Sequence, residues 1–177
     1  MENTKGYLNA PPGNTFHAYP IDPGEGIRSA LSMKGHVKME LFGPDGKLKD
    51  VWEIENALTV LYDATVADRM AGGTDALVDY TGVGTTSGGK NTTSTTLEAQ
   101  VARVQNDSNT QGAGANDNDV IHVASFAAGV GTGALVEAGL FTGAADATLC
   151  AWVDYAVKNK AAADTLVVTW TIGHGAS

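Results

Sequence analysis

The chain reads as mainly β: an antiparallel, jelly-roll-like β-sandwich over residues 34–177, with one amphipathic helix and an extended N-terminal arm over residues 1–33. Three observations lead there. First, from Val120 to Ile172 four apolar-alternating runs are separated by Gly, Ala and Asp turns. In the last run Leu166, Val168, Trp170 and Ile172 share one face while Val167, Thr169 and Thr171 share the other, the period-2 pattern of a sheet buried on one side. Second, 22 glycines, 18% charged residues and an abundance of Ala, Thr and Val make a strand-and-turn composition. Third, 177 residues suffice for one core and bury well over half of the unfolded surface.

In the arm, Pro11, Pro12, Pro20 and Pro23 lie among Gly6, Gly13, Gly24 and Gly26, which forbids regular structure. Tyr7, Leu8, Phe16, Tyr19 and Ile21 are interleaved with them, more apolar surface than a solvated tail carries. The arm is therefore expected to dock these five side chains on a partner or on the host domain.

Alternation of Val37, Met39 and Leu41 predicts a strand over 36–42, Pro44-Asp45-Gly46 a tight turn, and Leu48–Ile54 the returning strand of a hairpin. Asn56 is a suitable N-cap for a helix reaching Ala71, with Ala57, Val60, Leu61, Ala64, Ala67 and Ala71 as its apolar face and Gly72-Gly73 as its left-handed terminus. A short strand over 76–81 leads into a Gly/Ser/Thr loop over 82–96. Leu97–Ala102 predicts one or two helical turns, and 106–119 an exposed, mobile polar loop. Four strands follow, over 120–127, 134–141, 148–157 and 165–172, and their short connections favour an antiparallel meander.

Charge and composition narrow the function. A net charge of −9 with eleven scattered basic residues argues against nucleic-acid binding. Val120–Phe141 carries His122 and Glu137 and reads as two strands, not a membrane span. Met1–Lys5 is not followed by an apolar run, so the expected site of synthesis is the cytoplasm. Cys150 is the single cysteine, which excludes an intrachain disulfide and a thiolate zinc site.

Candidate chemistry is sparse. Gly84–Asn91 approaches a phosphate-cradling loop, with Lys90 after Gly89, but Asn91 stands where a magnesium-binding hydroxyl is needed and Thr92–Thr96 opens a helix poorly, so a flexible loop is the better reading. Gly129-Val-Gly-Thr-Gly133 precedes a strand, not a helix, and its glycines read as turn residues. Asp45-Gly-Lys47 lacks the later acidic ligands of a calcium loop. His17, His36, His122 and His174 fall at no metal-binding spacing, and Cys150 reads as a buried thiol. Glu137, between Val136 and Ala138, is expected to be paired with Lys or Arg across the sheet or hydrogen-bonded to backbone. No cofactor or metal is expected. Trp170 is in phase with the core, whereas Trp52 and Trp152 are candidates for an interface or a ligand platform.

Two stretches resemble small virion proteins of tailed bacteriophages. One runs from Lys34 to Asn56, KGHVKMELFGPDGKLKDVWEIEN, and leads into a helix. The other runs from Ser125 to Phe141 with its Glu137-Ala-Gly-Leu-Phe141 segment, then Leu149–Tyr155 and the Asp164-Thr-Leu-Val-Val-Thr-Trp170 finish. The resemblance covers residues 34–172. It implies a non-enzymatic structural protein of the virion, most naturally a capsid decoration (cement) protein on the exterior of the head. Its partners would be the major capsid protein or other virion proteins, and it would be a homo-oligomer, with a trimer favoured. The alternatives are a tail, baseplate or fibre-associated protein and, in another class, a carbohydrate-binding module using Trp52 or Trp152.

Overall fold

A computed structural model of the chain describes residues 31–145 and 147–176, so the arm residues Tyr7, Leu8, Phe16, Tyr19 and Ile21 lie outside the described residues. From Leu31 onward the chain is one compact, mainly antiparallel β unit. Its strands are β1 (Leu31–Phe42), β2 (Leu48–Leu58), β3 (Tyr80–Gly84), β4 (Gln100–Gln105), β5 (Ser108–Gln111), β6 (Asp119–Phe126), β7 (Gly133–Phe141), β8 (Leu149–Lys160) and β9 (Thr165–Ala176), with one helix, α1 (Val60–Met70). The spatial order is β4-β3-β7-β8-β2-β1-β9-β6-β5, a nine-stranded sheet that curls until β4 approaches β6. The two layers of the sandwich are thus the two halves of one sheet. They join where β2 meets β8 through only Ala57–Trp152 and Leu58–Ala151.

The core lies between the halves. Val37, Met39 and Leu41 of β1, Ala124 and Phe126 of β6, and Leu166, Val168 and Trp170 of β9 face Val83, Leu135, Ala138, Leu140, Ala151, Val153 and Tyr155 of β3, β7 and β8. The alternation read in β9 is met in full: Leu166, Val168, Trp170 and Ile172 are buried while Val167, Thr169 and Thr171 are half-exposed. The β1–β2 hairpin also forms as expected, paired from Gly35–Asn56 to Phe42–Leu48 with a register shift between Leu41 and Phe42.

Four expectations are corrected. The last four strands are not a meander: β7 and β8 pair as a hairpin, but β6 pairs with β9 and β5, so the β6–β7 and β8–β9 connections cross between the halves. Crossing lets both inner faces contribute to one core, which consecutive pairing would not. Leu97–Ala102 is not helical. Gln100–Gln105 extends as β4 along the open edge of β3, whose backbone groups would otherwise lack partners. The 106–119 segment contains β5, a four-residue edge strand whose residues are all exposed.

The helix is the fourth correction. Asn56 is still in β2, and the N-cap is Thr59, whose Oγ1 accepts from the Tyr62 backbone N–H and donates to the Leu149 carbonyl. The buried stripe is Tyr62 and Thr65, with half-buried Val66, packing toward Cys150 and Ile172, while Val60, Ala64, Ala67 and Ala71 are exposed. The alanines support the helix through propensity and not through burial. Its terminus is as expected, with Gly72 at φ +79°.

Candidate functional site

A buried polar cluster forms on the outer face of β7 and β8. A register shift between Leu135 and Glu137 breaks the alternation of β7. Leu135, Ala138 and Leu140 face the main core, while Glu137 is turned to the other face, beneath the segment 85–99. There Glu137 is 0% exposed. Its Oε1 accepts from the Ala99 backbone N–H at 2.9 Å, and its Oε2 accepts from the Glu98 N–H at 3.1 Å and from Lys90 Nζ at 2.8 Å.

Lys90 Nζ also donates to Asp154 Oδ1 at 2.8 Å, and its side chain is 1% exposed. Asp154 is the register partner of Glu137 on β8, so two carboxylates stand opposite each other across the ladder and one ammonium bridges them. Burial works to lower the Lys90 pKa, but the bonds to Asp154 and Glu137 outweigh it and the net displacement is upward. The Lys90 amine therefore stays protonated at neutral pH. Glu137 thus has both an ion pair and backbone hydrogen bonds, as expected, but its cation comes from the overlying 85–99 segment and not from across the sheet.

The segment read as a free flexible loop is accordingly pinned. Besides Lys90, the Gly88 N–H donates to Asp154 Oδ2, the Thr85 N–H to the Ala99 carbonyl, and the Val60 N–H to the Thr92 carbonyl. Gly84 completes the fit: a Cβ there would lie 2.1 Å from Glu137 Oε1. Beside the clasp, Leu97, Phe141 and Leu149 form a small second core, and the Arg103 guanidinium lies 3.5 Å from the Phe141 ring centroid. With both Glu137 oxygens occupied by donors and the amine held by two carboxylates, the cluster is built to hold a loop in place.

Trp52 is half-buried against the main core at the seam. Its ring is 5.9 Å from that of Tyr155, and Lys158 Nζ sits 4.6 Å from its centroid while pairing with Asp50 at 2.8 Å. Trp152, also half-buried, packs against Leu97, Phe141 and Leu149. The two indoles sit in separate clusters. Cys150 is fully buried, and burial pushes its thiol up to about 12. The glycines of 129–133 have positive φ, as turn residues.

At the opposite end of the sandwich, buried Lys160 donates to the carbonyls of Ala127 and Asp164, and the Asp164 carboxylate accepts from Lys49 and the Ala161 N–H. Hydrogen bonding from Lys49 holds Asp164 below its ordinary carboxylate range. Among the described residues no group of three or more His, Cys, Asp or Glu could hold a metal ion, and no helix is long and apolar enough to cross a membrane.

Sequence reasoning named Glu137 and Lys90 separately and missed that they meet. The signal was a carboxylate in an apolar strand, which demanded a cation, and a lysine in an otherwise uncharged Gly/Ser/Thr segment. No protein-family model, no curated protein and no solved structure matches the chain.

Proposed function

We propose that the protein is a non-enzymatic structural component of a tailed-bacteriophage virion, a capsid decoration protein that binds the outer surface of the head lattice as a homo-oligomer, with a trimer favoured. The observation that carries this reading is where the resembling stretches fall. Lys34–Asn56 forms the β1–β2 hairpin, and Ser125–Phe141, Leu149–Tyr155 and Asp164–Ile172 form the end of β6 and then β7, β8 and β9. Together these are the unbroken central run β7-β8-β2-β1-β9-β6 of the sheet. The resemblance therefore follows the framework of the fold and not its loops.

A surface feature agrees with a binding role. Leu48, Val51 and Val157 are large apolar side chains left 51%, 45% and 57% exposed on β2 and β8, the strands flanking the seam. Burying them against a lattice or a second copy removes apolar area from water at about 25 cal/mol per Å². The packing of Trp52 and Trp152 disfavours the carbohydrate-module reading, because both rings are engaged by side chains of the chain itself.

Quantitative mass spectrometry of purified virions tests the proposal. A copy number comparable with that of the major shell protein is the expected result. A handful of copies per particle would move the protein to the tail, baseplate or fibre, and its absence from particles would end the virion reading. Retardation on glycan gels that Trp152→Ala abolishes would favour the carbohydrate module instead.

A further inference from the structure

The clasp places one buried amine against two carboxylates, and the other lysine contacts among the described residues lack part of that set. The side chains of Lys38, Lys47, Lys49 and Lys158 are 39%, 84%, 45% and 26% exposed, and each meets a single carboxylate. Buried Lys160 bonds two carbonyls and no carboxylate. Lys90, at 1% exposure, touches both Glu137 and Asp154.

The three side chains are arranged for more than charge balance. Lys90 Nζ is 2.8 Å from Asp154 Oδ1, which is one bond from Cγ, so the nitrogen lies within about 4 Å of that carbon. Reacting atoms attack from roughly 3–3.5 Å, a small side-chain rotation away. The other oxygen of the same carboxylate, Oδ2, accepts from the Gly88 backbone N–H at 3.2 Å, a donor set where negative charge would gather if Cγ became tetrahedral. Glu137 Oε2, 2.8 Å from Nζ and 0% exposed, is in reach of the protons the nitrogen must shed.

We infer that the folded chain links itself here, forming an isopeptide bond between Lys90 Nζ and Asp154 Cγ with Glu137 as the acid–base group. The ion pair is the reactant. One ammonium proton crosses to Asp154 Oδ1, which leaves a neutral amine beside a carboxylic acid, and Nζ attacks Cγ. Glu137 takes a second proton from the nitrogen and returns it to the Oδ1 hydroxyl, which departs as water, while the third proton stays on the amide nitrogen. Ammonium and carboxylate have become amide and water, Glu137 ends as it began, and no other reactant is consumed. The charged pair is the resting form. A step taken once per chain needs only the minor neutral form, and burial of the amine works in its favour. The Asp154 side chain, 34% exposed, gives the departing water a path to solvent. The bond would tie the 85–99 segment covalently to β8, and it does not depend on the virion reading.

Intact-mass spectrometry of the purified, denatured full chain tests this, followed by a tryptic map. The expected mass is one water below that of the sequence, with fragments 70–103 and 104–158 joined and the bond located at Lys90 and Asp154. Lys90→Arg, which keeps the charge but not the amine, and Asp154→Ala should each show the full mass. Glu137→Gln, with both reacting groups still in place, should also stay unlinked, and Glu137→Asp, too short to reach Nζ, serves if the glutamine variant does not fold. A full wild-type mass after prolonged incubation, a water lost within a single peptide, or a bond mapped from Lys90 to Glu137 would each overturn the inference. So would linkage as complete as the wild type's in a folded Glu137 variant.

Discussion

Glu137 on β7 and Asp154 on β8 are register partners, two carboxylates face to face on neighbouring strands, and Lys90 Nζ lies 2.8 Å from an oxygen of each. The lysine is not an optional ornament of that pair. Removing it leaves a fully buried anion beside a second carboxylate, with backbone N–H donors but no cation between them.

Replacing Lys90 with Met should therefore destabilise the protein by about 3–5 kcal/mol, the cost of an uncompensated buried charge. Equilibrium urea denaturation reads this as a lower midpoint. Adding Glu137→Leu to Lys90→Met should recover part of the loss, because the anion that needed a partner is gone. A double variant no more stable than Lys90→Met would show that the pairing is not the source of the effect.

Gly84→Ala should cost about 1–3 kcal/mol, in the range of overpacking a filled site. The reason is space: the added methyl would lie 2.1 Å from Glu137 Oε1 and 2.7 Å from the Ala99 carbonyl, so the 85–99 segment must lift. Amide shifts of Glu98 and Ala99, whose N–H groups hold the carboxylate, report the displacement directly. Unchanged shifts at both would refute the steric account.

Stability should fall as the pH drops from about 6.5 toward 4. His122 has a folded pKa of about 4 against 6.5 for the free side chain, so in that window the unfolded chain takes up a proton that the folded one refuses. The contribution is complete above pH 6.5, diminishes through the window and is gone below it, for a total of roughly 3 kcal/mol. The groups facing the ring are Asp79, Asn109 and His174, and His174 is itself lowered by burial and acts in the same direction. Asp45, Asp50 and Asp164 are lowered from 3.8 and act below this window. Denaturation midpoints at a series of pH values measure the slope, and His122→Asn should flatten most of it.

Cys150 should react with an alkylating reagent only on unfolding. Its thiol is buried between the helix and the sheet, and a pKa raised to about 12 leaves almost no thiolate at neutral pH. Stopped-flow labelling in native buffer should match the rate of global opening. A fast native phase would mean that α1 detaches from β8 and β9 on its own.

What could be read in advance, and what could not, divides along physical lines. The β9 run was legible because one face of a sheet imposes period 2 on consecutive residues, and Trp170 could be placed in the core from its phase alone. The face of α1 was misread because alanine satisfies both helix propensity and an apolar pattern, so the solvent side looked like the core side until Tyr62 and Thr65 were seen beneath it. Asn56 and Thr59 are both good caps, and only the continued pairing of Asn56 with Gly35 decides between them. Gln100–Gln105 carries no strong strand signal, and the open side of β3 dictates its conformation. The meeting of Lys90 with Glu137 depends on a bulge, and the convergence of Tyr62, His122 and Asn109 depends on strand order. Neither leaves a mark at fixed spacing.

The narrow join between β2 and β8 gives the molecule a preferred place to yield under tension. Elsewhere neighbouring strands are laced over at least four residue pairs, but here the ladder has two, braced by the indole of Trp52 and the Asp50–Lys158 contact. A force pulling β2 away from β8 within the sheet would part the ladder there first, and would leave the longer β7–β8 and β1–β9 ladders whole.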